Sequence, residues 1–339
     1  MSARRTLAVT RRVLAGFRRD RRTLALLFVV PLVILALLGY LMRGAGSDVK
    51  IGVVGGGPLA AALGASTKVD AKPMTASQAQ AALRSGSIAG YLSLDPALPA
   101  VYLEGSQPSL NDDVLAALAA AVGGPRPAIH YLYGGPSLDT LDYFGAGFIG
   151  LVVFFLVFVV TSVAFLRERS GGTLERLMAT PLRRLEIVFG YTLAFTAVAL
   201  VQSLFVLLFS LYALRIHNSG NVGVIFLFEA LLAIAAVSTG IFLSGFARTE
   251  FQAVQFIPLV VLPQVLLSGI VFPVITEPAP LQVLSNVLPL TYDVYGLRDV
   301  MVKGAGLGSG GLQLDLAVVA AFAVVMLLAG GATLRRRIA

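Results

Sequence analysis

The sequence contains no cysteine and no tryptophan, and only two histidines. The missing cysteines exclude disulfides and thiolate metal sites, and His130 and His217 stand too far apart to read as a ligand pair. Charge is scarce too: 13% of the residues are charged, where a soluble domain carries about 25%. The motifs of soluble chemistry are also missing. There is no G-x-x-x-x-G-K-[ST], no G-x-S-x-G and no H-E-x-x-H. None of the four lysines, Lys50, Lys68, Lys72 and Lys303, lies in a phosphate loop. The chain is therefore expected to be no enzyme and to hold no metal or cofactor of its own.

What is present is apolar: 57% of the 339 residues are hydrophobic, and the mean hydropathy is +0.85. This is the composition of a polytopic helical membrane protein. Six stretches reach the roughly 20 residues that a helix needs to cross a bilayer core: 23–42, 144–166, 188–214, 222–246, 251–275 and 314–334. Basic residues set the expected orientation, because arginine and lysine collect on the cytoplasmic side. Seventeen of the 26 fall in 1–22, 167–187, around Arg248 and in 335–339, which puts both termini inside. The net charge of +8 needs no nucleic acid to explain it. The first apolar run is too long for a signal-peptide core, and no small-x-small site follows it, so an uncleaved anchor in the cytoplasmic (inner) membrane is expected.

Residues 1–22 have a helical rhythm, with Leu7, Val13, Leu14 and Phe17 on one side and arginine pairs at 4/5, 11/12 and 18/19. A helix of this kind lies in the membrane interface, its arginines among anionic head groups. Residues 43–143 differ in composition and read as a small extracytoplasmic α/β domain. Strands are expected at 49–54, 67–70, 88–94 and 100–103, and helices at 58–64, 75–84 and 110–122. VKIGVVGGGPLAAAL (49–63) carries Gly55, Gly57 and Ala60 in a G-x-G-x-x-A spacing, with Asp70 beyond it. A dinucleotide fold needs two such halves and a cofactor supply, and about 100 residues outside the cell provide neither. The glycines are read as a strand-to-helix turn.

RERSGGTLERLMATPLRR (167–184) holds a short amphipathic helix in which Leu174, Leu177 and Met178 share a face, bounded by Gly171, Gly172 and Pro181. It suits docking to a soluble partner, and equally a charged loop obeying the positive-inside rule. Within the spans, Glu229 is a costly lone carboxylate that contacts a cationic or polar substrate or pairs with an arginine such as Arg215. Gln202, Ser203, Gln252, Gln255 and Gln264 line a path or bond between helices. LVVFFLVFVV (151–160) would suit lipophilic cargo or lipid. Pro258 and Pro263 permit a kink in span five, with Gly269 nearby.

The same loop resembles the E-R-E-x-G-T-L-E-x-L-x-x-x-P loop of ABC-2 type exporter permeases, with Ser170 where many relatives are acidic. LLSGIVFPVITEPAPLQVLSNVLPLTYDVYGLRDVM (266–301) is similar to their S-G-x-x-F-P…L-P-x-T-Y…R element. The resemblance covers essentially the whole chain. It implies six spans of the type V exporter architecture. Glu168, Arg169, Thr173, Leu174, Glu175 and Leu177 would form a coupling helix docked on a separate ATPase. Arg5, Arg12 and Arg19 would belong to an elbow helix. Gly269, Pro273, Pro289, Tyr292 and Arg298 would lie in a re-entrant segment within 276–313 and its approach. Gln202, Glu229, Gln255 and Gln264 are the candidate substrate path. Two such permeases, identical or paralogous, and two ATPase subunits carrying ATP and Mg would export a drug, natural product or envelope lipid. Two other readings compete. A proton-coupled transporter calls for a relay of buried acids, and a non-transporting scaffold or sensor would work through its outer domain.

Overall fold

The computed structural model describes residues 2–44, 49–55, 69–84, 88, 90–93, 100–103, 140–247, 249–271, 273–274 and 277–336. The chain divides into two compact units, Met1–Tyr40 with Leu132–Ala339, and Leu41–Tyr131. In order, the elements are α1 (Ala3–Arg19), α2 (Arg21–Gly44), β1 (Val49–Val54), β2 (Val69–Pro73), α3 (Ala76–Arg84), β3 (Gly90–Ser93) and β4 (Ala100–Leu103). Then follow α4 (Thr140–Ser170), α5 (Thr173–Met178), α6 (Arg184–Leu208), α7 (Val222–Ser244), α8 (Glu250–Leu267), α9 (Ala279–Ser285), α10 (Pro289–Met301) and α11 (Gly310–Arg336).

Among its described residues the smaller unit holds a four-stranded sheet in the order β2-β1-β3-β4. β1 runs parallel to β2 and β3, and β4 is antiparallel to β3. Ala79 of α3 packs with Ile88 and Tyr91 to form its core. A capping box starts α3: the Gln78 amide donates to Thr75 Oγ1 at 3.4 Å, and the Thr75 amide donates to Gln78 Oε1 at 3.1 Å. Gly55 leaves β1 with φ +106, the left-handed turn that a glycine permits. Gly57, Ala60 and the helices expected at 58–64 and 110–122 lie outside the described residues.

Among the described residues, six helices are long and apolar enough to cross a membrane: Thr23–Met42, Leu141–Ser170, Glu186–Ala213, Val222–Ser244, Glu250–Leu267 and Gly310–Ala332. α7 is apolar all round and takes the centre, packed by α4, α6, α10 and α11. Small residues let these helices close up, as in other membrane bundles. A Cβ on Gly240 would stand 3.0 Å from Thr161 Cβ, and one on Gly296 would run into the Phe228 ring. Gly296→Val is therefore expected to overpack the α7–α10 crossing. It should cost about 1–3 kcal/mol or more, read as a lower melting midpoint by circular dichroism in detergent, and partly recovered by Phe228→Ala.

α8 closes at Leu267, short of the 275 expected for span five, because Gly269 turns the chain out with φ +76. α1 meets its expected face only in part: Val13 and Phe17 are buried as expected, and Val9 and Thr10 join them in place of Leu7, which is 45% exposed. These residues are buried against α6, where Gly190 has no side chain to hold Val9 off, and Thr10 Oγ1 donates to the Gly190 carbonyl at 3.1 Å.

Candidate coupling site and buried polar core

At the end of the bundle where α1 packs, the segment from Arg167 to Arg183 is tied to four other elements. Arg167 makes a fork on Glu250 at the start of α8, with Nε to Oε1 at 2.9 Å and Nη2 to Oε2 at 3.1 Å. Glu168 Oε2 accepts from the buried Tyr191 hydroxyl of α6 at 2.7 Å and lies 3.6 Å from Arg12 Nη2 of α1. Arg12 Nη1 closes the triangle on the Tyr191 oxygen at 3.2 Å. Arg169 donates to the Ser244 carbonyl that ends α7. Beyond α5, Arg5 donates to the Pro181 carbonyl at 2.9 Å. Buried Glu186 accepts from the Ser2 amide at 2.6 Å and the Arg183 amide at 2.9 Å.

The value of these ties lies in position more than in stability. Arg167 and Glu250 are each more than half exposed, and surface pairs of that kind contribute about 0–1 kcal/mol. The Glu168–Tyr191–Arg12 triangle is the better-shielded part, with Tyr191 fully buried and stacked edge-on with Phe165. Thr173 opens α5, and Leu177 is half-buried. The side chains of Leu174, Glu175 and Met178 lie outside the described residues. Arg19 ends α1, exposed. Of the predicted coupling residues, Glu168 and Arg169 are thus engaged within the chain itself. The one sign of this in the sequence is an acid followed by an arginine at the end of an apolar run.

At the opposite end of the bundle, α9 and α10 are the two short helices of the 276–313 segment. Arg298 of α10 holds the turn after α8: Nη1 donates to the Gly269 carbonyl at 2.7 Å and Nη2 to the Ile270 carbonyl at 3.1 Å. Its guanidinium also lies 4.7 Å from the centre of the Tyr143 ring. Pro289, at the first position of α10, is buried and lacks the donor that would be orphaned there. Tyr292 donates to the Asn286 carbonyl at 2.9 Å, and Pro273 is exposed.

The predicted path residues divide. Gln264 is buried, and its Oε1 accepts from the Leu290 amide at 3.3 Å, which caps α10. Gln255 is exposed. Gln202 and Glu229 are completely buried, and no described residue hydrogen-bonds either side chain. The pairing of Glu229 with Arg215 is not observed; its ionisable neighbour is instead Asp293 of α10, also fully buried and unbonded among the described residues. Gly150 of α4 leaves the room that the Asp293 carboxylate fills. Asp293 was missed in the sequence, although it falls on the same helical face as Leu290, Val294 and Leu297, all buried.

Among the described residues, six apolar helices, a first helix packed on the third of them and short helices at the far end define an α-helical polytopic membrane protein. A family profile described as "ABC-2 family transporter protein" matches residues 21–332, and the chain belongs to that family. Among curated proteins, ABC transporter G family member 20 of Dictyostelium discoideum is 34% identical over 176 residues, 52% of this chain and 24% of its own length. The probable multidrug ABC transporter permease YbhR of Escherichia coli is 28% identical over 172 residues, 51% of this chain and 47% of its own. The linearmycin resistance permease protein LnrN of Bacillus subtilis is 29% identical over 176 residues, 50% and 46%. The matched regions thus span about a quarter to a half of these relatives' lengths.

Proposed function

We propose that this chain is the membrane-spanning permease subunit of an ABC exporter. It would carry a lipophilic drug, natural product or envelope lipid outward across the cytoplasmic membrane, both termini inside, driven by a separate ATPase that binds at α5. The observation that carries the reading is the mounting of that short helix. Arg167, Glu168 and Arg169 precede it, and they fasten this segment to α8, to α6 with α1, and to α7. A push on α5 is therefore delivered to four elements at once, which is what a two-state transporter needs from its lever. The relatives named as multidrug and resistance permeases support the cargo class. In the working unit two ATPase subunits, holding ATP and Mg, would act on two permeases, identical or paralogous, with the cargo passing between them.

The test is co-expression with a candidate ABC ATPase, wild type against Leu174→Asp and Glu175→Arg. ATP hydrolysis is expected in the purified complex alone, and both substitutions should release the partner or uncouple it. If no ATPase is captured, or both variants leave binding, hydrolysis and export unchanged, the reading falls.

A further inference from the structure

Two acids in the core of the bundle stand apart from the coupling segment. Glu229 of α7 and Asp293 of α10 are each completely buried, and no described residue hydrogen-bonds either carboxyl group. Asp293 acts electrostatically on Glu229. The turns that carry them are apolar: Ile225, Phe228 and Leu232 of α7 and Leu290, Val294 and Leu297 of α10 have no exposed surface. The Asp293 carboxyl also fills the place that a Cβ on Gly150 of α4 would need, so three helices close over the pair.

We propose that Glu229 and Asp293 form a proton-binding site, each holding a proton while α10 is packed on α4 and α7, and each giving it up when those helices part and water enters. The proposal goes beyond the permease reading and does not depend on it.

An ionised carboxylate taken out of water needs a counter-ion or hydrogen bonds, and a second carboxylate beside it repels it. Protonation removes both costs at once. A metal ion suits the donor set less well. Calcium takes about six to eight oxygen ligands and magnesium about six, while no group of three or more acids or histidines stands together among the described residues.

The charged and titratable groups on the surrounding helices have other partners or lie elsewhere along them. α7 carries no other titratable residue. On α10, Arg298 serves the Gly269 and Ile270 carbonyls with Tyr143 and Tyr295 as neighbours, Tyr292 donates to the Asn286 carbonyl, and Asp299 pairs with Lys303. On α4, Asp142 accepts from the His217 amide at the start of the helix, and Arg167, Glu168 and Arg169 are at its other end. On α6, Glu186 and Tyr191 belong to the coupling ties, as does Glu250 on α8, and Arg184 is the first residue of its helix. On α11, Asp315 lies near the start with Asp299 and Lys303 acting on it, and Arg335 and Arg336 end the helix.

A direction of pH dependence follows. The packed bundle keeps two protons that the same side chains lose in water above the ordinary carboxylate range. Packing therefore takes up protons, and rising pH disfavours it by about tenfold per pH unit for each proton kept.

The absence of native cysteine supplies the probe. Val294→Cys places a single thiol at a fully buried position of α10. The full chain in phosphatidylcholine nanodiscs is labelled with a maleimide between about pH 6 and 8. Val294→Cys alone is compared with Val294→Cys carrying Glu229→Gln and Asp293→Asn, which keep the shapes of the neutral acids and cannot ionise. Thiol ionisation is common to both proteins, so the ratio of their labelling rates reports the pair. That ratio is expected to rise about tenfold or more across the range. Infrared spectra near neutral pH should show a protonated-carboxyl carbonyl stretch that the two substitutions remove. Melting midpoints check the result without the thiol: wild type should lose stability relative to Glu229→Gln as pH rises. A flat labelling ratio, a carbonyl stretch unchanged by the substitutions, or parallel melting profiles for wild type and Glu229→Gln would each overturn the site.

Discussion

Arg298→Met is expected to be the most destabilising single substitution at the α10 end of the bundle. The last carbonyls of a helix have no partner within it, and in an apolar setting they must find one. After α8 the chain turns at Gly269, and the carbonyls of Gly269 and Ile270 are both served by the Arg298 guanidinium, at 2.7 and 3.1 Å. Methionine keeps much of the apolar reach but donates nothing, leaving two acceptors unserved at about 1–3 kcal/mol each. The contact with the Tyr143 ring, 4.7 Å away, is lost as well, and with it a link to α4. Arg298→Lys should fall between the two, since an ammonium lacks the planar fork that reaches both carbonyls. The readout is the melting midpoint in detergent by circular dichroism, in the order wild type, Lys, Met. A methionine variant that melts with wild type would show that water serves these carbonyls and that Arg298 does not hold the turn.

Hydropathy made the six long helices legible, because a run of 20 apolar residues has few other uses. It also made α1 legible through its paired arginines, with Val13 and Phe17 of its buried face, but not Thr10. Thr10 is polar and so drops out of an apolar stripe, yet it is buried because its hydroxyl reaches the Gly190 carbonyl. Leu7, which looked like part of the stripe, faces away. The end of α8 was misread for a related reason. Residues 268–274 are as apolar as a span, but the left-handed Gly269, its carbonyl held by the distant Arg298, turns the chain out of the helix. The ties around 167–183 were hidden by distance along the chain, since nothing in the sequence joins Arg12 to Glu168 or Arg167 to Glu250. Glu229 was conspicuous as a lone acid in an apolar run. Its neighbour Asp293 was not, because its segment read as a loop element rather than as core.

Reversing the charge at Arg12 should break coupling without unfolding the chain. In Arg12→Glu two carboxylates would face the buried Tyr191 hydroxyl, which has one proton to give and already donates it to Glu168 at 2.7 Å. The lost pair and the new repulsion together weigh about 1–3 kcal/mol in a partly shielded site. Against this, α1 stays held by Val9, Val13 and Phe17, all buried, at roughly 1.5–3 kcal/mol for each side chain. Burial wins, so the helix remains on α6 while its tie to the end of α4 opens. Under the proposed function, hydrolysis by the ATPase complex then loses its dependence on transported compound, by about tenfold or more, with the melting midpoint within a few degrees of wild type. The exchange Arg12→Glu with Glu168→Arg should restore much of the response, because it returns one charge of each sign to the Tyr191 oxygen. Tyr191→Phe, which removes the shared hydroxyl and keeps the ring against Phe165, should give an intermediate loss. If the double exchange is no better than the single one, the triangle is merely packing and force from α5 reaches the spans through Arg167 and Glu250 instead.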